Sequence, residues 1–137
     1  MNWSAPFEAL EVGQEFKTRG RTVTEADVVS FTALGIGHGM LVVALAAGLV
    51  PFDPDRVVAL RRVSDATFKR PVRFGDTLRV EGRIAELSEE AGLVTFAWNV
   101  VNQDGQTVCR ARVEVLWKRD AVVEAATEVD EFVPIPL

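Results

Sequence analysis

Apolar and polar residues alternate through the second half of this chain, whereas the first half is dominated by one unbroken apolar run. Three segments carry a clear period-two pattern, which puts alternate side chains on opposite faces of a sheet. Leu78, Val80 and Ile84 share one face, with Arg79, Glu81 and Arg83 opposite. Val94, Phe96, Trp98 and Val100 share a face in the next segment. In the last, Cys109, Ala111, Val113, Val115 and Trp117 oppose Arg110, Arg112 and Glu114. Residues Val57 to Arg119 are therefore predicted to be strands, jointed at Gly75-Asp76, Ser88 to Gly92 and Gln103 to Gln106. Asp104-Gly105 predicts a two-residue hairpin turn, because both central positions can take positive φ.

In the first half, His38-Gly39-Met40 opens an uncharged run of thirteen residues ending at Val50 (HGMLVVALAAGLV). The run is longer than a typical strand and too short to cross a bilayer. It predicts a helix that is apolar all round and so buried on every side. Pro51 ends it, since the residue before proline disfavours the helical region. Upstream, Thr24-Glu25-Ala26-Asp27 has the chemistry of a helix start, with a hydroxyl cap and an acid three positions later. Val28, Phe31, Thr32 and Leu34 continue at helical spacing, and Gly35 stops that short helix. Phe16 to Val23 is predicted to be a first strand, and Met1 to Gly13 an irregular arm anchored by Trp3, Phe7 and Leu10. One sheet with an apolar face and one wholly apolar helix imply an α+β fold, the antiparallel sheet curling around the long central helix at about residues 38–50.

At 137 residues and 48% hydrophobic, the chain has material for one ordinary domain and its core. The expected division is a folded body over residues 1–119, arm included, followed by an acidic tail over 120–137. Residues 1–119 hold fifteen acidic and fifteen basic residues, so the net charge of −5 comes wholly from Asp120, Glu124, Glu128, Asp130 and Glu131. That balance gives no footprint for nucleic acid. With no signal peptide or spanning segment in the sequence, the expectation is a soluble cytoplasmic protein without membrane insertion. The lone Cys109 excludes an internal disulfide and a cysteine-built zinc site, and its place in an alternating strand favours a small buried hydrophobe over a reactive thiol.

Several motifs stand in order along the chain. They are Gly13 with Phe16, Arg21 to Val28, Phe31, His38-Gly39-Met40-Leu41, then Phe68-Lys69-Arg70-Pro71-Val72 and Gly75-Asp76-Thr77-Leu78. Over about residues 10–119 this pattern resembles the MaoC-like dehydratases, a hotdog-fold family that includes the (R)-specific enoyl-CoA hydratases. The resemblance implies a single hotdog fold and hydration or dehydration of acyl thioesters, enoyl-CoA and 3-hydroxyacyl-CoA, with no cofactor beyond the coenzyme A of the substrate and no metal. It implies an acyl-CoA or acyl-carrier partner and a dimer, either a homodimer or a heterodimer with a second hotdog subunit. It also implies that a backbone N–H at the start of the long helix holds the thioester carbonyl, a role that falls on Gly39. The physics agrees, because N–H groups in a helix's first turn lack intrahelical acceptors and carry partial positive charge.

The pattern departs from the family where chemistry is expected. Family members carry a catalytic Asp and His on a loop before the long helix. Here Leu34-Gly35-Ile36-Gly37 leads directly to His38, with no Asp or second His between. His38 matches the histidine of the His-Gly-Met motif, not the catalytic one. Either the protein lacks the loop, or a segment is missing from the determined sequence. A joint of this length is acceptable between two helices.

The remaining candidates each have a plain alternative. His38 is a proton carrier or a structural hydrogen-bonding group. Gly39 is a substrate contact or a packing point against the sheet. With Met40 and Arg70 these form the expected substrate-binding set. Arg61, Arg62, Lys69, Arg70 and Arg73 are the main basic concentration, either receiving the phosphates of coenzyme A or forming a solvated strand face. Asp65 alone is weak as a general base, and Trp98 and Trp117 are expected in the core or at a dimer interface. Three functions follow: a MaoC-like hydratase or dehydratase, a non-catalytic acyl-thioester-binding subunit beside an active partner, and a hotdog acyl-CoA thioesterase.

Overall fold

The computed structural model describes residues 1–33 and 38–120, with side chains described for 1–30 and 39–120. The predicted acidic tail beyond Asp120 and the Leu34 to Gly37 joint lie outside the described residues. In chain order the elements are a 3₁₀ turn (Phe7–Ala9), β1 (Glu15–Lys17), β2 (Arg21–Thr22), α1 (Glu25–Ala33) and α2 (His38–Leu49). Then come β3 (Val57–Phe68), β4 (Thr77–Ser88), β5 (Leu93–Val101) and β6 (Thr107–Trp117).

The start of α1 follows from its side chains. The Asp27 N–H donates to Thr24 Oγ1 at 3.2 Å, and the Thr24 N–H donates to Asp27 Oδ2 at 2.9 Å. This reciprocal cap satisfies two amides that the helix leaves orphaned. Arg21 adds an ion pair to Asp27 at 3.1 Å. The Thr24 backbone bond first, and the Arg21 bond second, hold the Asp27 carboxyl below its ordinary pKa. A depressed folded pKa means that this contribution is present above the unfolded value and is lost as pH falls through the folded one. Thr24→Ala should lower stability by about 1 kcal/mol in urea denaturation.

All long strands are antiparallel, in the order β1-β4-β5-β6-β3, with β2 also paired to β4. The predicted first strand is thus two short ones, Glu15–Lys17 and Arg21–Thr22, both held on β4. The predicted continuous strand region also breaks, since residues 69–76 form no strand. Alternation otherwise gives the core directly. Val80, Ile84, Val94, Phe96, Val113 and Val115 are all fully buried, and the arginines and glutamates between them face away from α2.

The arm closes the end of the core that lies near Phe96. Phe7 and Leu10 are buried, Trp3 stacks on Phe96 with centroids 5.8 Å apart, and Trp117 Nε1–H donates to the Ala5 carbonyl at 2.8 Å. A buried indole N–H needs such a partner. Trp98 and Trp117 are core residues, 4% and 1% exposed.

Two expectations change. The β5–β6 turn is not a two-residue hairpin, because among its residues Gly105 alone takes positive φ, at 74°. Asn102 Oδ1 accepts the N–H groups of Asp104 and Gln106, both at 3.0 Å, and the Gly105 N–H donates to Asn102 O. That side chain draws Asn102 into the turn and lengthens it, a role sequence spacing does not reveal. Nor is α2 buried on every side. Leu41, Val42, Ala46 and Leu49 face the sheet, but Met40, Ala44 and Gly48 are exposed. These three recur at the helical spacing of four, so the sheet covers one side of α2 and leaves a stripe open.

Candidate functional site at the first turn of α2

The candidate site is built where the end of β3 meets the start of α2. Phe68 closes β3 and pairs in register with Cys109, whose side chain is buried on the concave face. The Phe68 ring therefore turns toward the helix. A Cβ placed on Gly39 would lie 2.7, 2.8 and 2.9 Å from three ring carbons of Phe68, so the ring rests on the glycine itself. Gly39 has no positive φ, and space rather than backbone conformation demands glycine here.

Together these residues line a groove of about 190 Å³, with Gly39 and Val42 on the helix side and residues 68–72 on the other. Gly39 is the second residue of α2, so its N–H lies in the turn that the helix leaves without acceptors. The facing wall is pinned. The Lys69 and Arg70 N–H groups both donate to Val108 O, at 2.8 and 3.4 Å, and Arg70 Nη1 donates to Thr107 O at 2.8 Å.

The structure brings together Gly39, Lys69 and Arg70 from the predicted set. Met40 is adjacent but exposed, and the His38 side chain lies outside the described residues. The predicted basic concentration does not hold together as one patch. Arg61 pairs with Glu114 at 3.7 Å, while Arg62 and Asp65 share a polar pocket with Arg112 and Glu86 on the sheet face turned away from α2. Register with β6 puts Arg62 and Ser64 beside Glu114 and Arg112, opposite Val63, and the bulges at Leu60/Arg62 and Ser64/Thr67 bring Arg61 and Asp65 to the same side. Asp65 sits at a bulge between Ser64 and Thr67 with φ 53°, a left-handed conformation that Asp tolerates. Its position suits a strand kink, not a base at Gly39.

Electrostatically the groove offers cations and helix N–H groups and no carboxylate among its described lining residues. Such a lining attracts anionic or oxyanionic groups, and its described residues include no general base. Burial pushes the Cys109 thiol up, so it supplies no thiolate nucleophile nearby.

Sequence reasoning missed Phe68 as a wall of this site. The available signal was Gly39 itself, because a glycine in a helix is unfavourable and implies a close neighbour. Which neighbour depends on sheet register.

Similarity to solved structures places the fold. A monoamine oxidase regulatory protein from Archaeoglobus is 29% identical, with a TM-score of 0.72, covering 83% of this chain and 95% of its own. The (R)-hydratase from A. caviae involved in PHA biosynthesis is 25% identical, with a TM-score of 0.65 and coverage of 82% and 98%. A MaoC-like dehydratase from Rhodospirillum rubrum superposes with a TM-score of 0.71 at 19% identity, covering 87% of this chain and all of that one. The chain has the hotdog fold of these MaoC-like proteins. No family model matches it, and no curated protein matches it by sequence. In sequence, Leu34-Gly35-Ile36-Gly37 alone separates α1 from His38, and none of the four is ionisable. Among the described residues no helix is long and apolar enough to cross a membrane.

Proposed function

We propose that this protein is the acyl-thioester-binding component of a MaoC-like hydratase or dehydratase. In this reading it holds an enoyl-CoA or 3-hydroxyacyl-CoA at the first turn of α2. The Gly39 N–H receives the thioester carbonyl, and the positive end of the helix stabilises charge that develops on that oxygen during water addition or loss at C2–C3. Lys69 and Arg70, beside the groove, receive phosphate groups of the coenzyme A. The acid/base pair that moves protons at C2 and activates water at C3 comes from a second hotdog subunit.

One observation carries this reading: Gly39 lines a groove at the first turn of α2, yet the groove's described lining holds no carboxylate and the sequence between α1 and α2 no ionisable residue. A thioesterase reading would need the same missing water-activating group. The similarity to an (R)-hydratase supports the thioester chemistry, and the outer edge of the sheet supports a partner. β3 runs twelve residues, is paired among the described residues with β6, and exposes Val58, Leu60 and Val63. A long apolar edge of this kind calls for pairing.

Gly39→Ala tests the reading. The new methyl meets Phe68 and pushes into the cradle, so affinity for butanoyl-CoA should fall by about tenfold or more in calorimetric titration. Unchanged affinity would place the acyl group elsewhere.

A further inference from the structure

We infer that Phe68 is the residue that sets acyl-group specificity in this protein, admitting short unbranched acyl chains beside the thioester and rejecting branched or long ones. The inference rests on acyl-thioester binding at the first turn of α2 and goes beyond it by naming the selecting side chain. Three features of the groove carry it.

First, the three atoms nearest to a Cβ placed at Gly39 all belong to the Phe68 ring. Whatever the Gly39 N–H holds must therefore pass beside that ring. Second, the ring is not locked into the core. Phe68 remains 47% exposed although its register partner Cys109 is 1% exposed, so it packs on Gly39 with one edge and lines the groove with the rest. Third, the wall around it is rigid. Two backbone N–H bonds to Val108 O, the Arg70 bond to Thr107 O and the ring of Pro71 fix residues 69–71. With its backbone fixed, the width of the groove depends on the side chain at 68.

The volume sets the direction of selection. About 190 Å³ is below the range of ordinary ligand pockets, which begin near about 300 Å³. It suits a thioester with a few unbranched carbons. Phe68 and Val42 both line the groove beside Gly39, so in this reading a methyl branch at C2 competes with them for space. Discrimination per misplaced methyl in an apolar pocket is on the order of 10-fold to 200-fold.

The test is calorimetric binding of butanoyl-CoA, 2-methylbutanoyl-CoA and octanoyl-CoA to the full chain, its Phe68→Ala variant and its Phe68→Leu variant. The parent should prefer butanoyl-CoA by about tenfold or more over both others. Phe68→Ala should reduce that preference to within about threefold, and Phe68→Leu should fall between. Because Phe68 is half exposed at a strand end, both variants should keep the parent's circular dichroism spectrum, and Phe68→Leu remains informative if Phe68→Ala does not fold. Butanoyl-CoA binding with an unchanged preference in the variants would overturn the role of Phe68 while leaving acyl-thioester binding in place. Absence of binding by any of the three thioesters to the parent would overturn both. A general loss of stability would weaken all three ligands alike and leave their ratio unmoved, which also counts against the inference.

Discussion

Purified alone, the chain should bind crotonyl-CoA and leave it unhydrated. Hydration requires a base to draw a proton from water as it attacks C3, and an acid to deliver one to C2. Each positioned group contributes on the order of 10²-fold to 10⁴-fold. The groove beside Gly39 offers a polarising N–H and the cations Lys69 and Arg70, and its described lining contains neither carboxylate nor thiol. The joint before α2 adds only Leu34, Gly35, Ile36 and Gly37. The rate for the chain alone should therefore lie at least about 10⁴-fold below that of the chain joined to a dyad-bearing hotdog partner. Loss of enoyl-thioester absorbance reads this directly. An intact mass equal to the 15.0 kDa of the sequence must accompany the assay, since a larger mass would mean that the protein carries residues beyond this sequence. Rapid hydration by a chain of the matching mass would place the acid/base chemistry within it.

Phe96→Ala should cost about 3–5 kcal/mol of folding stability, the range for removing a buried aromatic ring. Phe96 is fully buried on the central strand β5, and four rings surround it. Its centroid lies 5.8 Å from Trp3 and Phe52, 5.9 Å from Phe16 and 6.3 Å from Trp117. These neighbours come from the arm, β1, the turn after α2 and β6, so collapse into the cavity would require several elements to move together. Most of the cavity term should persist for that reason. The control is Phe74→Ala, in a turn and 62% exposed, where the change should stay within about 0.5 kcal/mol. Urea denaturation of both variants checks the pair, and a loss below about 1 kcal/mol for Phe96→Ala would mean that the arm does not close the core.

The fold was legible because its local signals agree with one another. Period-two alternation assigned the β4, β5 and β6 faces, and Thr24 with Asp27 marked the start of α1. The helix at His38 followed from an uncharged run that no strand or membrane span could use. What sequence could not show depended on partners distant in the chain. Thirteen apolar residues imply burial, but only the reach of the sheet decides that Met40, Ala44 and Gly48 stay open. Asp104-Gly105 is good hairpin chemistry, yet the Asn102 side chain selects a longer turn. The site shows the same division. Gly39 was identifiable from its place at the head of the helix, whereas Phe68, twenty-nine positions later, reaches it only through the β3–β6 register. Arg61, Arg62 and Arg70 look like one cluster in sequence, and the sheet sends the first two to its other face.

The Gly39 amide resonance is the most direct probe of where the thioester sits. In ¹⁵N-labelled protein titrated with butanoyl-CoA, a carbonyl accepting the Gly39 N–H should move that resonance strongly, while coenzyme A without an acyl group should move it little. Movement confined to other amides, or an equal response to both ligands, would contradict thioester binding at the first turn of α2.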